Sequence, residues 1–144
     1  MSPSLRSVDA ITLFVEDPQR SKAFYKKIFE LSPVHEDDDS VAFKLGGTIV
    51  NLLQTAAARE LVEPAPVAGR PSGARFQLTV SVDDADAVCA ELARRGVELL
   101  NGPIDREWGL RTASFADPDG HIWEVAQAID QGGAPPAPPG RVAG

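Results

Sequence analysis

Side chains able to do chemistry are few in this chain. Cys89 is the only cysteine, which excludes an internal disulfide and any CxxC zinc or redox site; it is expected to be a small buried helix residue. Histidine occurs only at His35 and His121. Trp108 stands in the stretch from Asn101 to Gly109, just before a strand that carries Arg111. Glu124 lies within the run HIWEVAQ, where a carboxylate is costly unless something satisfies it.

These residues depend on a regular framework. VDAITLFV (8–15) is rich in β-branched and apolar residues and predicts a strand. Asp17 is placed to cap a helix, with Pro18 in its first turn. Over Pro18 to Glu30, Ala23, Phe24, Ile28 and Leu31 recur at helical spacing, with Lys22, Lys26 and Lys27 on the other side. Short strands follow at 34–36, 41–45 and 48–54. Residues 55–73 are rich in Ala, Pro and Gly and are expected to be a connector, with a possible helical turn over Ala56 to Val62.

The order then recurs. RFQLTVSV (75–82) predicts a strand, and Asp84 starts a helix that runs to about Arg95. Ala87, Val88, Glu91, Leu92 and Arg95 give that helix one apolar and one charged side, and Gly96 takes the left-handed position at its end. Strands follow at 97–100, 110–116 and 121–127, the last two joined by the tight turn DPDG (117–120). AITLFV (10–15) aligns with QLTVSV (77–82), and GTIVN (47–51) with GHIWE (120–124). Asp17 matches Asp84, and Gln54 matches Gln127. Order, caps and turns agree, so the chain is an internal duplication. The predicted fold class is α+β: two βαβββ modules in tandem, at 8–54 and 74–129. Residues 1–7 are expected to be flexible, and 130–144 to be a disordered tail of Pro, Gly and Ala.

ITLFVEDPQRSKAFYKKIFEL (11–31) and TASFADPDGHIWEVAQ (112–127) resemble the two signature ends of the vicinal oxygen chelate superfamily. That superfamily contains glyoxalase I, extradiol dioxygenases, fosfomycin-modifying enzymes and bleomycin-resistance proteins. The resemblance covers about residues 8 to 129. It implies that the modules form paired curved mixed sheets with helices outside, each curling its strands into half of a cup, and that the protein, like many members, is a homodimer. The fold hosts both metal enzymes and metal-free binders, so the site must decide between them.

The resemblance puts the family's ligand positions on Ala10, Asn51, Gln77 and Glu124. Alternation along strands then turns Ala10, Thr12 and Phe14 toward the cup, together with Gln77, Thr79, Ser81, Ile122, Glu124 and Ala126. Trp123 and Val125 turn toward the helix. Phe43 could line the cup or plug it. A catalytic divalent metal needs three or four converging donors. Here only Glu124 is a good donor, Gln77 is weak, Asn51 is short and Ala10 offers nothing. Extradiol chemistry needs two histidines and a carboxylate, and those histidine positions hold Ala10 and Gln77. No cofactor is therefore expected, and a divalent metal, if bound, would use Gln77 and Glu124. Glu124 either meets a cationic or hydrogen-bond-donating ligand, serves as a catalytic base, or is tied up by Arg111, Gln77 or Asn51. EWGLRT (107–112) resembles a stretch of bleomycin-resistance-like members in which loop aromatics border the ligand groove. Trp108 either stacks there on a planar or cationic ligand or anchors its strand.

The net charge of -7 argues against nucleic acid and permits a cationic ligand. No apolar run is long enough to span a membrane, and Met1 to Val8 lacks a signal-peptide layout, so a cytoplasmic location is expected. The partner expected is a small molecule, bound without metal and sequestered as an antibiotic or other planar or cationic metabolite. The alternatives are a metal-dependent lyase or isomerase of glyoxalase type, or a metal-free enzyme with Glu124 as base.

Overall fold

A computed structural model describes residue 5 and residues 7–129. The expected disordered tail and most of the expected flexible N-terminus lie outside the described residues. The chain divides into two compact units, one ending at Ser72 and the other beginning at Gly73. Each holds one four-stranded mixed sheet and one long helix, so the fold class is α+β with tandem βαβββ modules.

In the first unit, β1 (Ala10–Val15) leads into α1 (Pro18–Phe29), followed by β2 (His35–Glu36), β3 (Ser40–Leu45) and β4 (Thr48–Gln54). The sheet order is β1-β4-β3-β2, with β1 parallel to β4 and the other pairs antiparallel. Asp17 caps α1 as expected, its carboxylate accepting from the backbone N–H groups of Gln19 and Arg20. The buried stripe of α1 is centred on Ser21 and Tyr25, four residues apart, while Ala23 is exposed. The aromatic rings decide this rotation: Tyr25 stacks on Phe29 and meets Phe43 of β3 at 6.2 Å between ring centres. Lys22 leaves the basic side and pairs with Glu36 of β2 at 2.7 Å.

The expected connector is more structured than its composition suggests. Thr55–Val62 forms a helix, α2, which packs on β4 and β1 through the fully buried Ala58. A single tight turn at Arg70–Ser72 ends the unit.

In the second unit, β5 (Gln77–Ser81) leads into α3 (Ala85–Arg94), followed by β6 (Leu99–Asp105), β7 (Leu110–Ala116) and β8 (Ile122–Ala128). The sheet order β5-β8-β7-β6 repeats that of the first unit, again with the outer pair β5 and β8 parallel. Asp84 caps α3 through the Ala87 N–H. At its other end Gly96 N bonds to Ala93 O, and Val97 N to Leu92 O, with Gly96 at φ 82°. These paired bonds satisfy carbonyls that the helix end would leave open. The buried stripe is Ala85, Cys89 and Leu92, whereas Ala87 is exposed. Burial pushes the Cys89 thiol up, and Asp86 adds to it.

The strand expected at 97–100 instead runs from Leu99 to Asp105. Its register against β7 slips on either side of Asn101, the second time across Gly102 and Pro103. The slip breaks the period-two pattern, which hides the strand in the sequence. The proline is tolerated because β6 is an edge strand. The DPDG turn forms as expected: the buried Asp117 carboxylate accepts from the N–H groups of Asp119 and His121, and Gly120 takes φ 91°.

Candidate functional site

Directly opposed residues in a sheet share a face, so the register fixes which side chains can meet. In the second unit the row across the sheet is Thr79, Glu124, Ser114 and Asn101. The neighbouring row contains Ser81, Ala126, Thr112 and Ile104. Both rows lie on the face opposite α3. That assignment follows from Arg111 and Gln127, which oppose each other on the other face and both reach α3. Arg111 contacts Asp86 at 3.2 Å, and Gln127 Oε1 accepts from Ala85 N at 2.8 Å.

Glu124 is 9% exposed, Ser114 8% and Thr112 1%. Thr79 Oγ1 donates to Glu124 Oε1 at 2.9 Å. A hydrogen bond to a buried carboxylate is among the stronger single bonds a fold makes. Gln77 lies one step along β5, opposite Ile122, on the same face. The second unit therefore brings together Gln77, Thr79 and Glu124 as the alternation predicted, and adds Ser114 and Thr112. The duplication could have pointed to Ser114, because it takes the place that Ala42 holds beside Asn51.

In the first unit the equivalent row is Thr12, Asn51, Ala42 and His35, with Phe14, Leu53 and Ser40 alongside. The four positions located by the resemblance fall in matching registers: Ala10 opposes Ile49 as Gln77 opposes Ile122, and Thr12 opposes Asn51 as Thr79 opposes Glu124. His35 lies on this face, and its ring nitrogen is 3.0 Å from Asp37 Oδ2. The Asp37 carboxylate is pulled down to about 2, first by His35, then by the Asp39 N–H and the Ser40 hydroxyl.

Two candidate residues lie elsewhere. Phe43 opposes Val50 and packs against Tyr25, so it is helix-side core at 2% exposure and neither lines nor plugs the other face. Arg111 is also on the helix side, held by both oxygens of Asp105, at 2.6 and 3.2 Å, and by Asp86. Those carboxylates raise the Arg111 guanidinium above its ordinary value, Asp105 foremost, and Arg111 in turn lowers Asp105. The strand pleat explains the error: Arg111 is an odd-numbered neighbour of Thr112 and points away from Glu124.

Trp108 is half-buried in the turn between β6 and β7, with the Arg106 guanidinium carbon 5.9 Å from its ring centre. Arg106 Nε donates to Thr112 Oγ1 at 3.0 Å, so Arg106 belongs to the Glu124 face. Sequence reasoning missed it, because a turn arginine carries no periodic signal.

As a metal site these donors fit poorly. Among the described residues, no group of three or more His, Cys, Asp and Glu side chains could hold a metal ion. Glu124 is the one carboxylate in its row, and its neighbours there are hydroxyls and an amide.

Residues 7–125 match the model of the Glyoxalase/Bleomycin resistance protein/Dioxygenase superfamily. The chain belongs to this superfamily. It is 33% identical over 124 residues to the uncharacterized protein YraH of Bacillus subtilis, covering 83% of this chain and 96% of YraH. Among solved structures of the superfamily, a glyoxalase/bleomycin resistance protein/dioxygenase from Nocardioides has a TM-score of 0.81 at 24% identity, covering 99% of this chain and 93% of that one. A glyoxalase-related enzyme from Fulvimarina pelagi has a TM-score of 0.74 at 26% identity, covering 92% and 99%. Membership places the duplicated module in a known architecture, while the activity of this superfamily member rests on its own side chains.

Proposed function

We propose that this protein binds a small molecule, without metal, on the sheet face opposite α3, where Glu124 anchors a cationic or hydrogen-bond-donating group. The observation that carries this reading is the Thr79–Glu124 hydrogen bond, which fixes one buried negative charge in a row of neutral hydroxyls and amides. A lone oriented carboxylate suits recognition of a donor or cation better than assembly of a metal centre. The net charge of -7 adds long-range attraction for a cation. In this reading the protein works as a cytoplasmic homodimer that sequesters an antibiotic or other planar, cationic metabolite, in the manner of bleomycin-resistance-like members.

Calorimetric titration of planar cations in the presence of EDTA tests it. The expected result is binding that survives the chelator and weakens by about tenfold or more in Glu124→Gln, the scale of a lost charged hydrogen bond. Binding that requires an added divalent metal overturns it. The Fulvimarina pelagi relative is described as an enzyme, which supports a second reading with Glu124 as a metal-free general base. Turnover in EDTA that is lost in Glu124→Gln is its signature, and equal turnover in that variant rejects it.

A further inference from the structure

Arg106 is a basic group of the Glu124 face. The turn that carries it is closed by backbone bonds, Arg106 N to Leu110 O at 2.7 Å and Gly109 N to Arg106 O at 3.1 Å. Its side chain is fixed at two points: Nε donates to the hydroxyl of Thr112, and the guanidinium lies by the indole of Trp108. Thr112 is buried and sits two residues from Ser114, which opposes Glu124. Thr112 and Glu124 are thus diagonal neighbours on one face, with a backbone separation on the order of 7–8 Å.

A guanidinium has five N–H donors in a rigid fork. The Thr112 hydroxyl uses one of them. Arg111, five residues on, shows the contrasting case, with its fork occupied by Asp105 and a further contact to Asp86. Among the described residues, no carboxylate forms an ion pair with Arg106. The hydroxyl and the indole orient the guanidinium without neutralising it. An oriented, unneutralised fork is preorganised for a carboxylate or similar planar anion.

We propose that Arg106 is the anion-binding group of this face, so that the ligand is a zwitterion, with its anionic end at Arg106 and its donor or cationic end at Glu124. Trp108 then acts through Arg106 as a positioning residue. The assignment of Glu124 in this inference rests on the function proposed above, whereas the assignment of Arg106 stands on its own geometry.

The test is calorimetric titration in EDTA at neutral pH with three probes of one shape: para-aminomethylbenzoate, benzylamine and benzoate. The zwitterion is expected to bind about tenfold or more tightly than benzylamine, the worth of one charged hydrogen-bonded pair. Arg106→Gln abolishes the zwitterion's advantage over benzylamine and does not weaken benzylamine, from which it removes only a like charge. Arg106→Lys restores only part of the preference, because an ammonium lacks the fork. Benzylamine binding through Glu124 with no gain for the zwitterion overturns the inference and leaves the proposed function standing. Benzoate binding lost in Arg106→Gln, with benzylamine unbound, does the reverse: it supports Arg106 and overturns Glu124 as the anchor. No binding by any of the three overturns both. The comparison among probes on the unaltered protein needs no variant to fold.

Discussion

Thr79 Oγ1 holds Glu124 Oε1 at 2.9 Å across the parallel β5–β8 pair, in the same register that sets Thr12 opposite Asn51 in the first unit. The duplication thus preserved the threonine and diverged at its partner, with a charge in one unit and a neutral amide in the other. One framework carries two different chemistries.

Removing the hydroxyl in Thr79→Val should destabilise the fold by about 1–2 kcal/mol, because a buried carboxylate loses a donor. Urea unfolding measures this. In Glu124→Met, which has no oxygen to accept from the hydroxyl, the same threonine change should cost clearly less, and equal losses in both backgrounds would show that the bond contributes nothing.

Gly102→Ala should be severe. A Cβ there would meet the Thr112 carbonyl oxygen, the Ala113 Cα at 2.6 Å and its Cβ at 2.8 Å, at φ 94°. Backbone cannot yield as a flexible side chain can, so a loss of about 3 kcal/mol or more is expected. Gly46→Ala is the control: its φ is also positive, at 61°, but nothing lies within 4 Å of the new atom. That variant should lose only about 1 kcal/mol. Similar losses in the two would rule out the close approach as the cause.

Asp117→Ala should cost about 2–3 kcal/mol, since two backbone N–H groups in the turn before β8 lose their acceptor. Because that turn leads into the strand bearing Glu124, probe affinity should fall with it. A stability loss with unchanged affinity would separate the turn from the site.

Asp37 sets an acid limit. Its folded value, about 2, lies below its ordinary 3.8. A depressed carboxylate stabilises the fold above its unfolded value, and that stabilisation disappears as pH falls through the folded value. Melting temperature should therefore drop between about pH 4 and pH 2, and Asp37→Asn should flatten that drop. Parallel curves for the two proteins would count against the His35 and Ser40 contacts.

Arg111→Gln should leave the melting temperature nearly unchanged, because its partners are largely exposed. Probe affinity should not change. Weaker binding in that variant would contradict its place on the α3 face.

Much of this molecule was legible in the sequence because it depends on local rules. Aspartate caps at Asp17 and Asp84, the glycine at position 96 and the DPDG turn each act within a few residues, and the strand period of two placed Thr79 and Glu124 on one face. The repeat of that order identified the module and its equivalent positions. What local rules do not contain is which face of a neighbouring strand a residue joins. Arg111 and Phe43 went to the helix side because their cross-strand partners, Gln127 and Val50, lie there. The slip at Gly102 and Pro103 concealed most of β6, and the turn beyond it brought Arg106 onto Thr112. Sequence alone thus determined the duplicated framework and the lone carboxylate. Only the tertiary pairing decided which polar groups share its face, because pairing register is a relation between segments distant along the chain.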